Sequence, residues 1–154
     1  MTLLLALPIG MLAQGTTWQN ATDVALGGSR SATMSEKSAV HWYKATVKEN
    51  GASAITATPQ ADLGMRYITL YTVTGGETHE RSYIWIGGAP TTLTINDCAP
   101  GTYYIQLDHG SGEGGYTFST QLAPASATQP NDQEPNDTWQ QAQLVKRGNT
   151  ATGH

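Results

Sequence analysis

The stretch Thr102-Tyr103-Tyr104-Ile105-Gln106-Leu107-Asp108 decides the fold. Tyr103, Ile105 and Leu107 fall on one side of an extended chain and Tyr104, Gln106 and Asp108 on the other. This period of two marks a strand with one buried face. Ala99-Pro100-Gly101 punctuates the chain before it, and the glycine-rich Gly110-Ser111-Gly112-Glu113-Gly114-Gly115 follows. Beyond that loop Tyr116, Phe118 and Thr120 repeat the alternation, so the loop reads as a hairpin between two strands. Working outward, Tyr43, Ala45 and Val47 share a face, as do Ile55 and Ala57 after the Glu49-Asn50-Gly51 turn. Ile68 and Leu70 point inward between Tyr67, Thr69 and Tyr71, ahead of a Thr74-Gly75-Gly76 turn. Ile84 with Ile86, and Leu93 with Ile95, give two more strands, divided by Gly87-Gly88-Ala89-Pro90. The pattern predicts an all-β domain, an antiparallel jelly-roll β-sandwich of about eight strands. Only Trp18 to Val24 suits a helical turn.

Thr138-Trp139-Gln140-Gln141-Ala142 restates Thr17-Trp18-Gln19-Asn20-Ala21, and Thr150-Ala151-Thr152 answers Ser31-Ala32-Thr33 at a similar spacing. Repetition of this kind sets the unit of folding. The expected organisation is a complete module over residues 16–122, an Ala/Pro-rich linker over 123–133, and the truncated start of a second module over 134–154, so that the chain is a piece of a longer repeat protein. Residues 1–13 hold the apolar run Leu3 to Ala13, too short to span a bilayer and ending in small residues. They read as a secretory signal peptide, although no Lys or Arg precedes the run.

Net charge is −4, only 13% of residues are charged, and no basic cluster occurs. Phosphate-backbone binding requires concentrated Lys and Arg, so nucleic acid is excluded as a partner. Cys98 is the single cysteine, which rules out an intramolecular disulfide.

No catalytic constellation emerges. His79-Glu80 begins like a zinc-protease helix, but Tyr83 stands where the second histidine belongs. The glycine-rich loop joins two strands and lacks the lysine of a phosphate loop. His41, His79 and His109 occur singly, and Cys98 has no identifiable base. Two binding features remain. Trp42, Tyr67, Tyr71, Tyr83, Trp85 and Tyr104 fall opposite the aliphatic residues of their strands. Outward rings of this kind bind sugar rings or extended protein chains, or else cover edges and pack against a neighbouring module. Trp42, Trp85 and Tyr104 are the candidate ligand contacts. The second feature is Asp132-Gln133-Glu134-Pro135-Asn136-Asp137, whose oxygens at close spacing suit a hard cation such as Ca²⁺ or, more simply, a solvated linker. Asn20-Ala21-Thr22 and Asn136-Asp137-Thr138 match the glycosylation sequon, a short motif that recurs by chance.

Together these pieces resemble the bacterial pre-peptidase C-terminal domain family, related to the collagen-binding domains of collagenases. The resemblance rests on Glu134-Pro135-Asn136-Asp137-Thr138 with Ala142 as a module opening, His41-Trp42-Tyr43 before a strand, Tyr67-Ile68-Thr69-Leu70-Tyr71, Ala99 to Ile105, and Gly115-Tyr116-Thr117-Phe118. It implies a jelly-roll, non-catalytic appendage of an exported bacterial protein: a spacer, folding aid or weak targeting element, secreted or at the cell surface. Its partners would be downstream domains of the parent protein and extracellular polysaccharide or protein; one alternative reading makes it the appendage of a secreted peptidase or other hydrolase whose catalytic domain lies beyond residue 154. Another alternative is an adhesin-like or carbohydrate-binding module using the outward rings. For calcium, the resemblance assigns Asp132, Glu134, Asn136 and Asp137 to the second module. In the first module Gly15-Thr16-Thr17, Ala39 and His41 replace the expected ligands, so no cofactor is expected there. Collagen transfers poorly, because Asp108, His109 and Gly110 stand where collagen binders carry tyrosines.

Overall fold

The computed structural model describes residues 15–36 and 39–124. The segment 1–13, the acidic set Asp132, Glu134, Asn136 and Asp137, and the second Trp139 block lie outside them. Within them a one-turn 3₁₀ helix, Trp18–Asn20, is followed by β1 (Thr22–Asp23), β2 (Ser29–Met34), β3 (Val40–Val47), β4 (Gly51–Pro59), β5 (Gly64–Thr74), β6 (Glu77–Gly87), β7 (Thr91–Cys98), β8 (Gly101–Ser111) and β9 (Gly114–Pro124).

Four nested antiparallel pairings organise the chain: β2 with β9, β3 with β8, β4 with β7, and β5 with β6. They describe one long hairpin whose tip is the β5–β6 turn. Further pairing of β4 with β9 and β5 with β8 rolls that hairpin into two sheets, ordered β1-β3-β8-β5-β6 and β2-β9-β4-β7. This is the jelly roll expected from the alternation, with short β1 added in parallel to β3.

The inward alternation read from the sequence holds in β3, β4, β7, β8 and β9 and over Ile68 and Leu70 of β5. Tyr43, Ala45, Val47, Ile68, Leu70, Ile105 and Leu107 from one sheet meet Ile55, Ala57, Leu93, Tyr116 and Phe118 from the other. Tyr43 stacks on Phe118 across the layer at 4.5 Å between ring centres. At this size such a core suffices without disulfide or metal staples.

Two sequence expectations need amendment. The Gly110–Gly115 segment is not a hairpin loop: β8 and β9 belong to different sheets, and the segment carries the chain between them. Gly112 supplies the left-handed backbone (φ 67°), and a Cβ there would strike the backbone of Asp62. The β5–β6 turn is a true hairpin, with Gly75 and Gly76 both at positive φ, 63° and 84°, as a type I′ turn requires. The second amendment is β2, which the alternation did not predict. Its inward register belongs to Arg30, Ala32 and Met34, facing Phe118, Tyr116 and Gly114, and only Met34 is fully buried.

Candidate binding face on the five-stranded sheet

Because side chains alternate along each strand, residues opposite the core residues of β3, β8, β5 and β6 project from one outer surface. In one row Lys44, Tyr104 and Tyr71 stand side by side, followed by Glu80. A bulge that skips Arg81 brings Glu80 to the position opposite Tyr71. In the next row Trp42 faces Gln106, Gln106 faces Thr69, and Thr69 faces Tyr83. Tyr67 lies opposite Trp85.

The rings form two groups. Trp42 packs on Tyr71 at 5.2 Å, and Trp18 sets its edge against Tyr104 at 5.6 Å. Tyr67 is perpendicular to both Tyr83 and Trp85, at 5.7 and 5.3 Å. Such edge-to-face geometry is the arrangement ring quadrupoles favour. Thr69, although on the outer face, is buried beneath these rings at 5% exposure. Tyr83 and Trp85, at 60% and 58%, are the exposed large hydrophobics. All three candidate ring contacts thus lie on one face, Trp42 and Tyr104 in the first group and Trp85 in the second.

Trp18, which marks the repeat in the sequence, joins this face unexpectedly. Asn20 Oδ1 accepts hydrogen bonds from the Thr17 amide (2.8 Å) and hydroxyl (3.1 Å), and Ala21 N–H donates to the Trp18 carbonyl. These bonds shape the 3₁₀ turn that delivers the indole to Tyr104. Local hydrogen bonding of this kind leaves no periodic signal.

Polar groups occupy the middle. Gln106 Nε2 donates to Asp108 Oδ1 at 2.8 Å. Burial raises the Asp108 carboxyl above its ordinary value, opposed by that bond and by the Arg66 charge. Burial, then the charges of Glu80 and Asp108, raise the Tyr71 phenol.

The other sequence candidates lie elsewhere. His41 is buried, its Nδ1 2.6 Å from the Tyr116 hydroxyl, which lies 2.6 Å from the Tyr43 hydroxyl. Burial lowers the His41 pKa. His109 Nε2 contacts the Gly112 carbonyl at 2.7 Å, and His79 is exposed on β6. Cys98 is buried, and that burial, with the neighbouring Asp97 charge, pushes its thiol up to about 11. Such a thiol stays protonated and unreactive at neutral pH. Among the described residues no three His, Cys, Asp or Glu side chains gather as metal ligands.

No protein-family model matches the chain, and no curated protein is similar to it. Solved structures are. The pre-peptidase C-terminal domain of a collagenase from Bacillus anthracis superposes with a TM-score of 0.55 at 16% identity, covering 65% of this chain and 93% of that one. The chain has the fold of that domain. A mitogen from Yersinia pseudotuberculosis superposes at 0.48 with 15% identity, covering 71% and 91%. Among the described residues no helix is long and apolar enough to cross a membrane.

Proposed function

We propose that this chain is a non-catalytic accessory module of an exported bacterial protein, and that the outer face of its five-stranded sheet attaches that protein to extracellular polysaccharide. The observation that carries the reading is the gathering of seven rings, Trp18, Trp42, Tyr67, Tyr71, Tyr83, Trp85 and Tyr104, on one surface with a polar centre. Tyr83 and Trp85 stand largely uncovered and the other five rings are half-buried around them, and apolar surface left open in this way marks a place where something binds. A sugar ring has an apolar face that stacks on an aromatic ring and hydroxyl edges that exchange hydrogen bonds. Gln106 and Asp108 offer amide and carboxylate partners between the two ring groups. Tyr67 and Tyr71 are four residues apart on β5, roughly 13 Å at the usual strand rise, so the groups would meet different units of one polymer. An open sheet face without an enclosed cleft suits a polymer surface better than a small molecule.

The expected partners besides polysaccharide are the other domains of the parent protein, and the fold match to a pre-peptidase C-terminal domain supports an appended role. Calcium at Asp132, Glu134, Asn136 and Asp137 belongs to the second module and stays a proposal; isothermal titration with Ca²⁺ against a Glu134→Ala variant tests it. For the polysaccharide, depletion assays on insoluble glucan, chitin and xylan are the direct test. Retention on one of them, lost in a Tyr83→Ala/Trp85→Ala double variant, supports the reading. Equal retention of the double variant contradicts it.

A further inference from the structure

Two outward polar residues of β8 stand where the two ring groups meet. On one side Gln106 faces Trp42 of β3, and on the other it faces the buried Thr69 of β5. Asp108 is the next outward residue of β8. Across from it β5 carries an extra residue between the pairs Met65–His109 and Ile68–Leu107, so Arg66 and Tyr67 together oppose Asp108. Tyr67 is the ring that meets Tyr83 and Trp85, and Trp42 is the ring that packs on Tyr71. A chain of sugars lying across both groups therefore passes over Gln106 and Asp108. The two are already joined, with Gln106 Nε2 donating to Asp108 Oδ1 at 2.8 Å. An ionised carboxylate only accepts, so the nitrogen end of the amide is the one that faces it, and the amide is held in one orientation.

We infer that Gln106 and Asp108 read the middle unit of the bound polysaccharide and select a neutral polymer with unsubstituted neighbouring ring hydroxyls, a glucan or a xylan, over acetamido and uronic-acid polymers. The inference rests on the polysaccharide reading of this face and names the polymer class. Hydrogen-bonding capacity is the first reason. With one amide hydrogen given to Asp108, the pair keeps Gln106 Oε1 and Asp108 Oδ2 as acceptors and one amide hydrogen as a donor. Neighbouring hydroxyls donate to both acceptors and accept from the donor at once. Bonds to a carboxylate are about twice as strong as those between neutral groups, so Asp108 carries most of the gain. An acetamido group in place of one hydroxyl sets its methyl over this centre, and a half-buried acceptor covered without a donor costs its desolvation. Charge is the second reason. Asp108 and Glu80 both lie close enough to Tyr71 to raise its phenol. The cations beside them are engaged, Lys44 with Asp23 at 3.7 Å and Arg66 with the charge of Asp108. A uronate carboxylate brought against Asp108 meets like charge.

Affinities of the full chain for insoluble glucan, xylan and chitin by depletion, and for soluble polygalacturonate by titration calorimetry, test the inference. The wild type should bind glucan or xylan at least about tenfold more tightly than chitin or polygalacturonate. Gln106→Ala and Asp108→Ala should each lower that binding by about tenfold, with chitin binding and the unfolding midpoint unchanged. A merely structural role would weaken every polymer alike. Wild-type affinity for chitin or polygalacturonate equal to that for glucan and xylan would overturn the inference and leave the ring platform standing. So would a loss in the two variants that is the same on every polymer. A wild type that binds none of the four would overturn the polysaccharide reading and this inference with it.

Discussion

At the residue scale, the two adjacent tyrosines of β8 show how one dipeptide serves two ends. Tyr103 turns inward and closes the β7–β8 turn, its hydroxyl donating to the Ala99 carbonyl at 3.1 Å and accepting from the Ala99 amide at 3.0 Å. Tyr104 turns outward to Trp18. His41, Tyr116 and Tyr43 form the buried polar chain of the core. Replacing Tyr116 by Phe leaves His41 Nδ1 and the Tyr43 hydroxyl without that partner, and should cost about 1–3 kcal/mol in urea unfolding. His41 also makes stability depend on pH. Its folded pKa lies below the ordinary 6.5, so below that value the unfolded chain binds more protons than the native one. Its contribution is complete above pH 6.5 and is lost as pH falls toward the lowered folded value. The urea midpoint should therefore fall between about pH 7.5 and pH 5, and more steeply in the wild type than in His41→Gln. Equal slopes would contradict the buried neutral imidazole.

At the scale of the element, the inward faces of β3, β5 and β8 were legible because Tyr43/Ala45/Val47, Ile68/Leu70 and Ile105/Leu107 alternate without interruption. β2 was not legible, since Arg30 occupies an inward register position at the open side and reaches the Asp23 carbonyl instead of the core. Nor could the glycine-rich segment reveal whether it joined partners within one sheet or crossed between sheets. Glycine permits both, and the choice is made by distant pairings of β9 with β2 and β4. The β5–β6 hairpin carries Tyr83 and Trp85, so its turn positions part of the proposed binding face. Gly76→Ala forces an L-residue to a φ of 84° and should cost about 1–2 kcal/mol in thermal or urea unfolding.

For the whole molecule, the two surfaces of the five-stranded sheet differ in burial: the inner one closes the core and the outer one carries the rings proposed to bind. Leu107, fully buried between the sheets, should lose about 2–5 kcal/mol of stability as Leu107→Ala. Trp85, more than half exposed, should change stability by no more than about 0.5 kcal/mol as Trp85→Ala. The outward set of Trp42, Trp85 and Tyr104 was readable from alternation, but its unity was not. Trp42 and Trp85 lie on strands β3 and β6, separated in the sheet by β8 and β5, and only the rolled topology puts them on one surface. Whether this surface binds polysaccharide is read from a depletion isotherm of the wild type and Tyr83→Ala/Trp85→Ala on insoluble glucan, chitin and xylan. Saturable binding to one polymer, weakened at least about tenfold in the double variant with an unchanged unfolding midpoint, is the predicted result. A wild type retained by none of the three, or a double variant retained as strongly as the wild type, would contradict it.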